Sequence, residues 1–290
     1  MSIRDFIILC IICLIWGGNF VLSKWLLSDL ALPPFFFACV RFMLVALLMS
    51  PFLFPLPKRF LRLCLAGLCV GALHLALLYT GLKTAPAGSS AIVSQMLIPF
   101  AAVLSVVFLQ EKIGLRRSLG IIGALTGVCI LIYDPDSFSF DVGLLYIVAA
   151  FFVIAVGSIL IKNVGAASPF QYLAWMGVLA IPTLGLASLM FETGQIEAAK
   201  ASGWGLPIGV LYTAVLASIV AHGQYFRLLQ TYDVTLVVPL TLMTPFWAVI
   251  LGIVLRDEPF GFRLIIGAAF ILISVYIIAR RQKQTPTDVL

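Results

Sequence analysis

The chain has 290 residues, 62% hydrophobic and 10% charged, with a net charge of +6. A soluble domain carries about 45–50% apolar and about 25% charged residues, so this chain cannot cover its surface with polar groups in water, and lipid must be its main solvent. A soluble enzyme is excluded, and so is a nucleic-acid partner, because the basic residues cluster at the ends of apolar runs as topology signals do.

A helix crossing a bilayer needs about 20 mostly apolar residues. In chain order, ten segments qualify: Phe6–Lys24, Pro34–Pro55, Leu61–Leu82, Pro86–Leu109, Leu115–Tyr133, Val142–Lys162, Phe170–Phe191, Gly205–Leu229, Thr235–Leu255 and Phe260–Ala279. The expected fold is an all-α integral membrane protein of ten transmembrane helices. The first segment follows Arg4 as in a signal peptide, but it lacks a small-x-small cleavage site and reads as a first span. Connections are short, so the chemistry must lie within the membrane. The six cysteines all fall inside apolar runs without zinc-site spacing and read as packing residues. Asp134-Pro135-Asp136 reads as a turn. Glycines four apart, at Gly67/Gly71, Gly123/Gly127 and Gly205/Gly209, let helices approach closely, with homodimerisation as a second use.

With the N-terminus inside, the inner basic residues are Arg4, Lys58, Arg59, Arg62, Lys112, Arg116, Arg117, Lys162, Arg227, Arg280, Arg281 and Lys283. The outer set is Lys24, Lys83, Lys200, Arg256 and Arg263. This excess places both termini in the cytoplasm and the protein, multi-pass, in the cell (inner) membrane.

Shifting the chain by 146 residues superimposes Tyr79 on Tyr225, Leu82 on Leu228 and Pro99-Phe100 on Pro245-Phe246. One more residue of offset brings Glu111 onto Glu258, Arg116 onto Arg263 and Gly120 onto Gly267. The chain thus reads as two five-helix repeats, 1–136 and 137–290, forming one transport unit. An odd number of crossings per half inverts the second, and such inverted repeats place a substrate site near the midplane.

The sequence resembles the drug/metabolite transporter superfamily, specifically the EamA-type exporters. The resemblance rests on Trp16-Gly17-Gly18-Asn19-Phe20, Arg41-Phe42, Pro86-Ala87-Gly88, Gln95, Pro99 and Glu111, then Val238-Pro239-Leu240, Pro245 and Glu258. It implies ten helices, cytoplasmic termini and export of small metabolites, often amino acids or their derivatives. The second half lacks a segment like Trp16–Phe20, so the first helices of the two halves are not equivalent.

Candidate substrate-binding residues follow from polarity at depth. A proline within a span frees the carbonyl four residues earlier: Pro99 that of Gln95, and Pro245 that of Thr241, beside Thr244. A bend needed only for packing is the other reading. Trp16, Asn19 and Phe20 share one helical face, and Asn19 must find a helix neighbour or a wet cavity. Gly18-Asn19 has a counterpart in Gly157-Ser158. His74 and His222 lie in spans three and eight, with Tyr225 and Phe226 on the face of His222 and Tyr79 equivalent to Tyr225. Arg41, about 10 Å into its span by the helical rise, either snorkels or binds a carbonyl, or attracts a substrate carboxylate. No Asp or Glu lies at the centre of a span, which disfavours a carboxylate proton relay and suits neutral or zwitterionic cargo. Coupling would therefore fall on His74 or His222, or the protein is a uniporter. No P-loop, H-E-x-x-H or G-x-S-x-G occurs, so no cofactor and no enzymatic activity are expected. An uncoupled channel or facilitator is the alternative, with a membrane-embedded enzyme behind it.

Overall fold

The computed structural model describes residues 1–56, 59–109, 114–134, 139–162, 168–232, 236–237 and 240–279. It consists of α1 (Ile3–Ser28), α2 (Pro34–Phe52), α3 (Phe60–Leu82), α4 (Ala87–Phe108), α5 (Leu115–Ile132), α6 (Val142–Leu160), α7 (Pro169–Phe191), α8 (Gly205–Thr231), α9 (Met243–Arg256) and α10 (Phe262–Ala279). Among the described residues, nine of these are long and apolar enough to cross a bilayer; α9, with 14 residues, is shorter. The chain is a multi-pass helical membrane protein. Its outer face carries large apolar side chains such as Leu189, Phe191 and Phe262, which only lipid can solvate without cost. The short helix Gln195–Ala201 joins α7 to α8, and a two-residue ladder pairs Tyr133 with Phe140 between α5 and α6. Asp134 lies in that ladder; Pro135 and Asp136 fall outside the described residues.

Packing follows small residues. Along α5, Gly120, Gly123 and Gly127 face α10, where a Cβ on Gly127 would lie 2.8 Å from the carbonyl of Gly267. A Cβ on Gly17 of α1 would sit 2.9 Å from the main chain of Thr244 and Ala248 in α9. Gly67 and Gly71 meet α7, and Gly205 and Gly209 meet Leu30 and Leu26, so each predicted glycine pair serves a contact within the chain. The largest interfaces join α3 to α6, α5 to α10, α2 to α7 and α4 to α6, with α1 against α9 among the next.

Several helices are irregular where their residues require it. In α3 the segment Leu68–Leu73 is π-helical, and in α8 so is Tyr212–Val220. Such wide turns are frequent at functional sites. In α4 the turn Ser94–Met96 tightens to 3₁₀ just ahead of Pro99. The expectation for Pro245 needs correction. Helix α9 begins at Met243, so Pro245 lies in its first turn rather than mid-helix, and the carbonyl of Thr241 is not bare: it accepts the N–H of Thr244 at 2.9 Å. Proline fits there because first-turn N–H groups have no intrahelical partner to lose.

Candidate functional site: a half-open central cavity

Helices α2, α3, α6, α7 and α8 enclose a cavity of about 210 Å³, room for roughly seven waters at the liquid's volume per molecule. Arg41, His74, Ser218 and His222 line it, and the lining extends to Pro169 and Phe170, where α7 begins; most of the remaining wall is apolar. No Asp or Glu is among its lining residues.

Arg41 is 8% exposed, so it does not snorkel. Its guanidinium donates to the Tyr79 hydroxyl at 2.5 Å and to Ser218 Oγ at 2.7 Å. Ser218 in turn donates to the carbonyl of Thr213 at 2.8 Å, inside the π-helical segment of α8. That bond orients the Ser218 lone pairs toward the arginine. Tyr79 is fully buried and stacks on Phe37 at 5.2 Å.

Both histidines reach this wall. His74 donates from Nδ1 to the carbonyl of Ala150 at 3.0 Å and sets its ring against the edge of Phe151. His222 donates from Nδ1 to the carbonyl of Ala217 at 2.8 Å. A carbonyl can only accept, so in each neutral ring Nε2 is the acceptor. Trp16 on α1 donates from Nε1 to the same Ala217 carbonyl at 3.2 Å, and its ring lies 5.0 Å from His222 and 5.3 Å from Tyr225.

The other expected residues lie away from this cavity. Pro99 and Thr244 are buried at the α4 and α9 side, and the Thr244 hydroxyl and Asn19 Oδ1 are buried without a hydrogen-bond partner. Gln95 donates to Ser94 Oγ at 3.4 Å. Phe20 belongs to the apolar core. Ser158 is exposed and donates to the carbonyl of Ile154 in its own helix.

At the opposite end of the bundle, carboxylates hold main-chain amides and charged side chains tie helix ends together. Glu192, just past α7, accepts the N–H groups of Phe35 and Phe36 at 2.7 and 2.9 Å. Glu258, just past α9, accepts those of Ala87 and Gly88 at 2.5 and 2.9 Å. A carboxylate at a helix N-terminus satisfies orphan donors and meets the positive end of the dipole. Arg256 binds Asp29 at 2.7 Å, and Lys24 donates to the carbonyl of Lys83 at 3.0 Å. Sequence reasoning placed Glu258 at a helix end but gave it no partner, and it passed over Glu192. A signal was present: the residues preceding α2 and α4 are Pro33 and Pro86, which cannot cap, whereas α1 and α7 carry their own Ser2 and Ser168 caps.

The EamA-like transporter family matches this chain over residues 5–133 and again over 141–280. The chain belongs to that family. A relative from Escherichia coli (strain K12), named probable amino-acid metabolite efflux pump, is 29% identical, with 96% of this chain and 95% of the relative covered. A Salmonella typhimurium protein of the same name is 28% identical, covering 96% and 95%. An uncharacterized transporter from Synechocystis is 26% identical, covering 93% and 88%. A solved crystal structure at 18% identity superposes with a TM-score of 0.55 over 96% of both chains, a likeness of fold alone. As an EamA-like chain it is a membrane transporter, and the three relatives above carry the names of transporters or efflux pumps rather than enzymes.

Proposed function

We propose that this EamA-like protein exports small metabolites, amino acids or their derivatives, by alternating access. The observation that carries the reading is the asymmetry of the bundle: a largely apolar cavity bearing Arg41, His74 and His222 reaches the end where α7 begins, while two glutamates and an Arg–Asp pair tie helix ends together at the other. In this reading the open end faces the cytoplasm, as the distribution of basic residues favours, and cargo passes outward when the closed end yields. The volume suits a single small metabolite. The amino-acid assignment draws on the names of the Escherichia coli and Salmonella relatives.

The reading takes the chain as ten spans in two inverted five-helix halves. Support comes from paired features: the family matches twice along the chain, and the π-helical segment of α3 falls, under the 146-residue shift, within that of α8. Contacts pair in the same way, since α1 with α9 corresponds to α6 with α4, and α3 with α6 to α8 with α1.

The test is efflux. Cells expressing the protein are challenged with toxic amino acids and analogues, and intracellular accumulation is measured. The expected result is resistance with lowered accumulation for at least one compound; unchanged accumulation across the panel, with the protein present in the membrane, would overturn the proposal. A cytoplasm-dependent reporter fused after the C-terminus should be active, and activity of a periplasm-dependent reporter there would reverse the orientation.

A further inference from the structure

Among the described residues, the cavity wall holds one permanent positive charge and no carboxylate beside it. Arginine has five N–H donors, and Arg41 uses one toward Tyr79 and one toward Ser218, both neutral hydroxyls. Its Nε is buried without a partner, and no carboxylate lines the cavity among the described residues. Holding a guanidinium out of water costs several kcal/mol unless an opposite charge compensates. Here the compensation is withheld, while the side chain is fixed: Tyr79 is clamped by Phe37, Ser218 by the carbonyl of Thr213, and the guanidinium lies 6.0 Å from the Phe42 ring centre. A charge this well positioned and this poorly paired is suited to a counter-ion that comes and goes.

We infer that Arg41 is the anchor for the carboxylate of the transported metabolite, so that the protein selects small carboxylate-bearing cargo and rejects amines that lack one. This rests on the transport reading above and narrows it. The carboxylate meets the guanidinium at the inner wall, and the rest of the molecule extends toward the mouth along Phe226 and Phe170. A zwitterion places its ammonium among these aromatic faces, which attract cations. An amine without a carboxylate keeps those aromatic contacts but leaves Arg41 unpaired, a like charge beside its own.

The experiment uses the full chain in liposomes and measures counterflow of three matched sets: L-amino acids, their methyl esters, and the amines formed by their decarboxylation. For every amino acid that moves, ester and amine should move about a hundredfold more slowly, as expected when a buried charge loses its partner. Arg41→Gln should abolish movement of the acids, and Arg41→Lys should retain part of it, since lysine keeps the charge without the planar fork. Esters and amines moving as fast as their parent acids in the unaltered protein would overturn the inference without any variant. So would wild-type rates for the acids in Arg41→Gln. Movement of amines alone would overturn the Arg41 inference yet leave transport standing. No movement in any set, beyond that of protein-free liposomes, would overturn both.

Discussion

Trp16 and His222 donate to one carbonyl, that of Ala217, from opposite helices. The carbonyl lies within the π-helical segment Tyr212–Val220, where a helix donor comes five residues on rather than four. Two side chains thus share one acceptor, and α1 is tied to α8 beside the cavity. A double-mutant cycle with Trp16→Phe and His222→Gln, read by thermal unfolding in detergent, should give a coupling of about 0.5–1.5 kcal/mol from the shared acceptor and the ring contact. Strict additivity would show that the two rings hold the segment independently.

Carboxylates hold main-chain amides at the far end, so Glu258→Gln and Glu192→Gln should loosen it. Each variant replaces a charged acceptor of two N–H groups by an amide with a single acceptor oxygen, a loss of about 1.5–3 kcal/mol. A cysteine at Ala91, fully buried beneath this end of α4, should then react with a hydrophilic thiol reagent in a cysteine-free background. Equal reactivity with and without Glu258→Gln would remove the glutamate from any role in closure.

The Arg256 guanidinium holds the Asp29 carboxyl down at about 2. A depressed pKa gives stability that is fully present above the unfolded value near 3.9 and is lost as pH falls toward the folded one. The melting-temperature difference between wild type and Asp29→Asn should therefore be flat from pH 8 to 5 and shrink below about pH 4. A difference that changed between pH 8 and 5 would mean another group governs that contact.

Bulk cannot be added between α5 and α10. A Cβ on Gly127 would lie 2.7 Å from Ile271 and 2.9 Å from Phe270, besides the Gly267 carbonyl. Gly127→Ala should lower stability by about 1–3 kcal/mol, seen as a reduced melting temperature, whereas Thr126→Ala, on the exposed face, should change it little. Similar values for both would place the glycine interface elsewhere.

Coupling is tested with an imposed pH gradient across liposomes. Both imidazoles spend Nδ1 on a main-chain carbonyl, and no carboxylate lines the cavity beside them. The expected outcome is equilibration of cargo whatever the gradient. Uphill accumulation that disappears in His74→Gln or His222→Gln, with downhill exchange intact, would make the protein proton-coupled instead.

Apolar runs made the helical, membrane-spanning character legible, because a stretch of about 20 apolar residues has few other fates. Of the polar residues at depth, Arg41, His74 and His222 line one cavity, whereas Asn19, Gln95, Ser158 and Thr244 do not. His74 and His222, more than a hundred residues apart, do meet one cavity, since insertion of ionisable groups into lipid is tolerated only toward a protein interior. Their partners were not legible. Arg41 pairing with Tyr79 and Ser218 depends on how α2, α3 and α8 rotate about their axes, and around Arg41 itself α2 is apolar on every side, so no amphipathic stripe fixes its rotation. Pro245 misled because a proline reads alike in the first turn and mid-helix when the helix start carries no cap of its own.

The glutamate contacts at the closed end grip amides and touch no recognition side chain at Phe35 or Phe36. Information in that contact is one-sided. A saturation scan should find Glu192 intolerant, while positions 35 and 36 accept any residue except proline, whose missing N–H would unfasten the grip. The two sides of that contact can thus drift at different rates, the helix start free to change its side chains while the grip on its amides is kept.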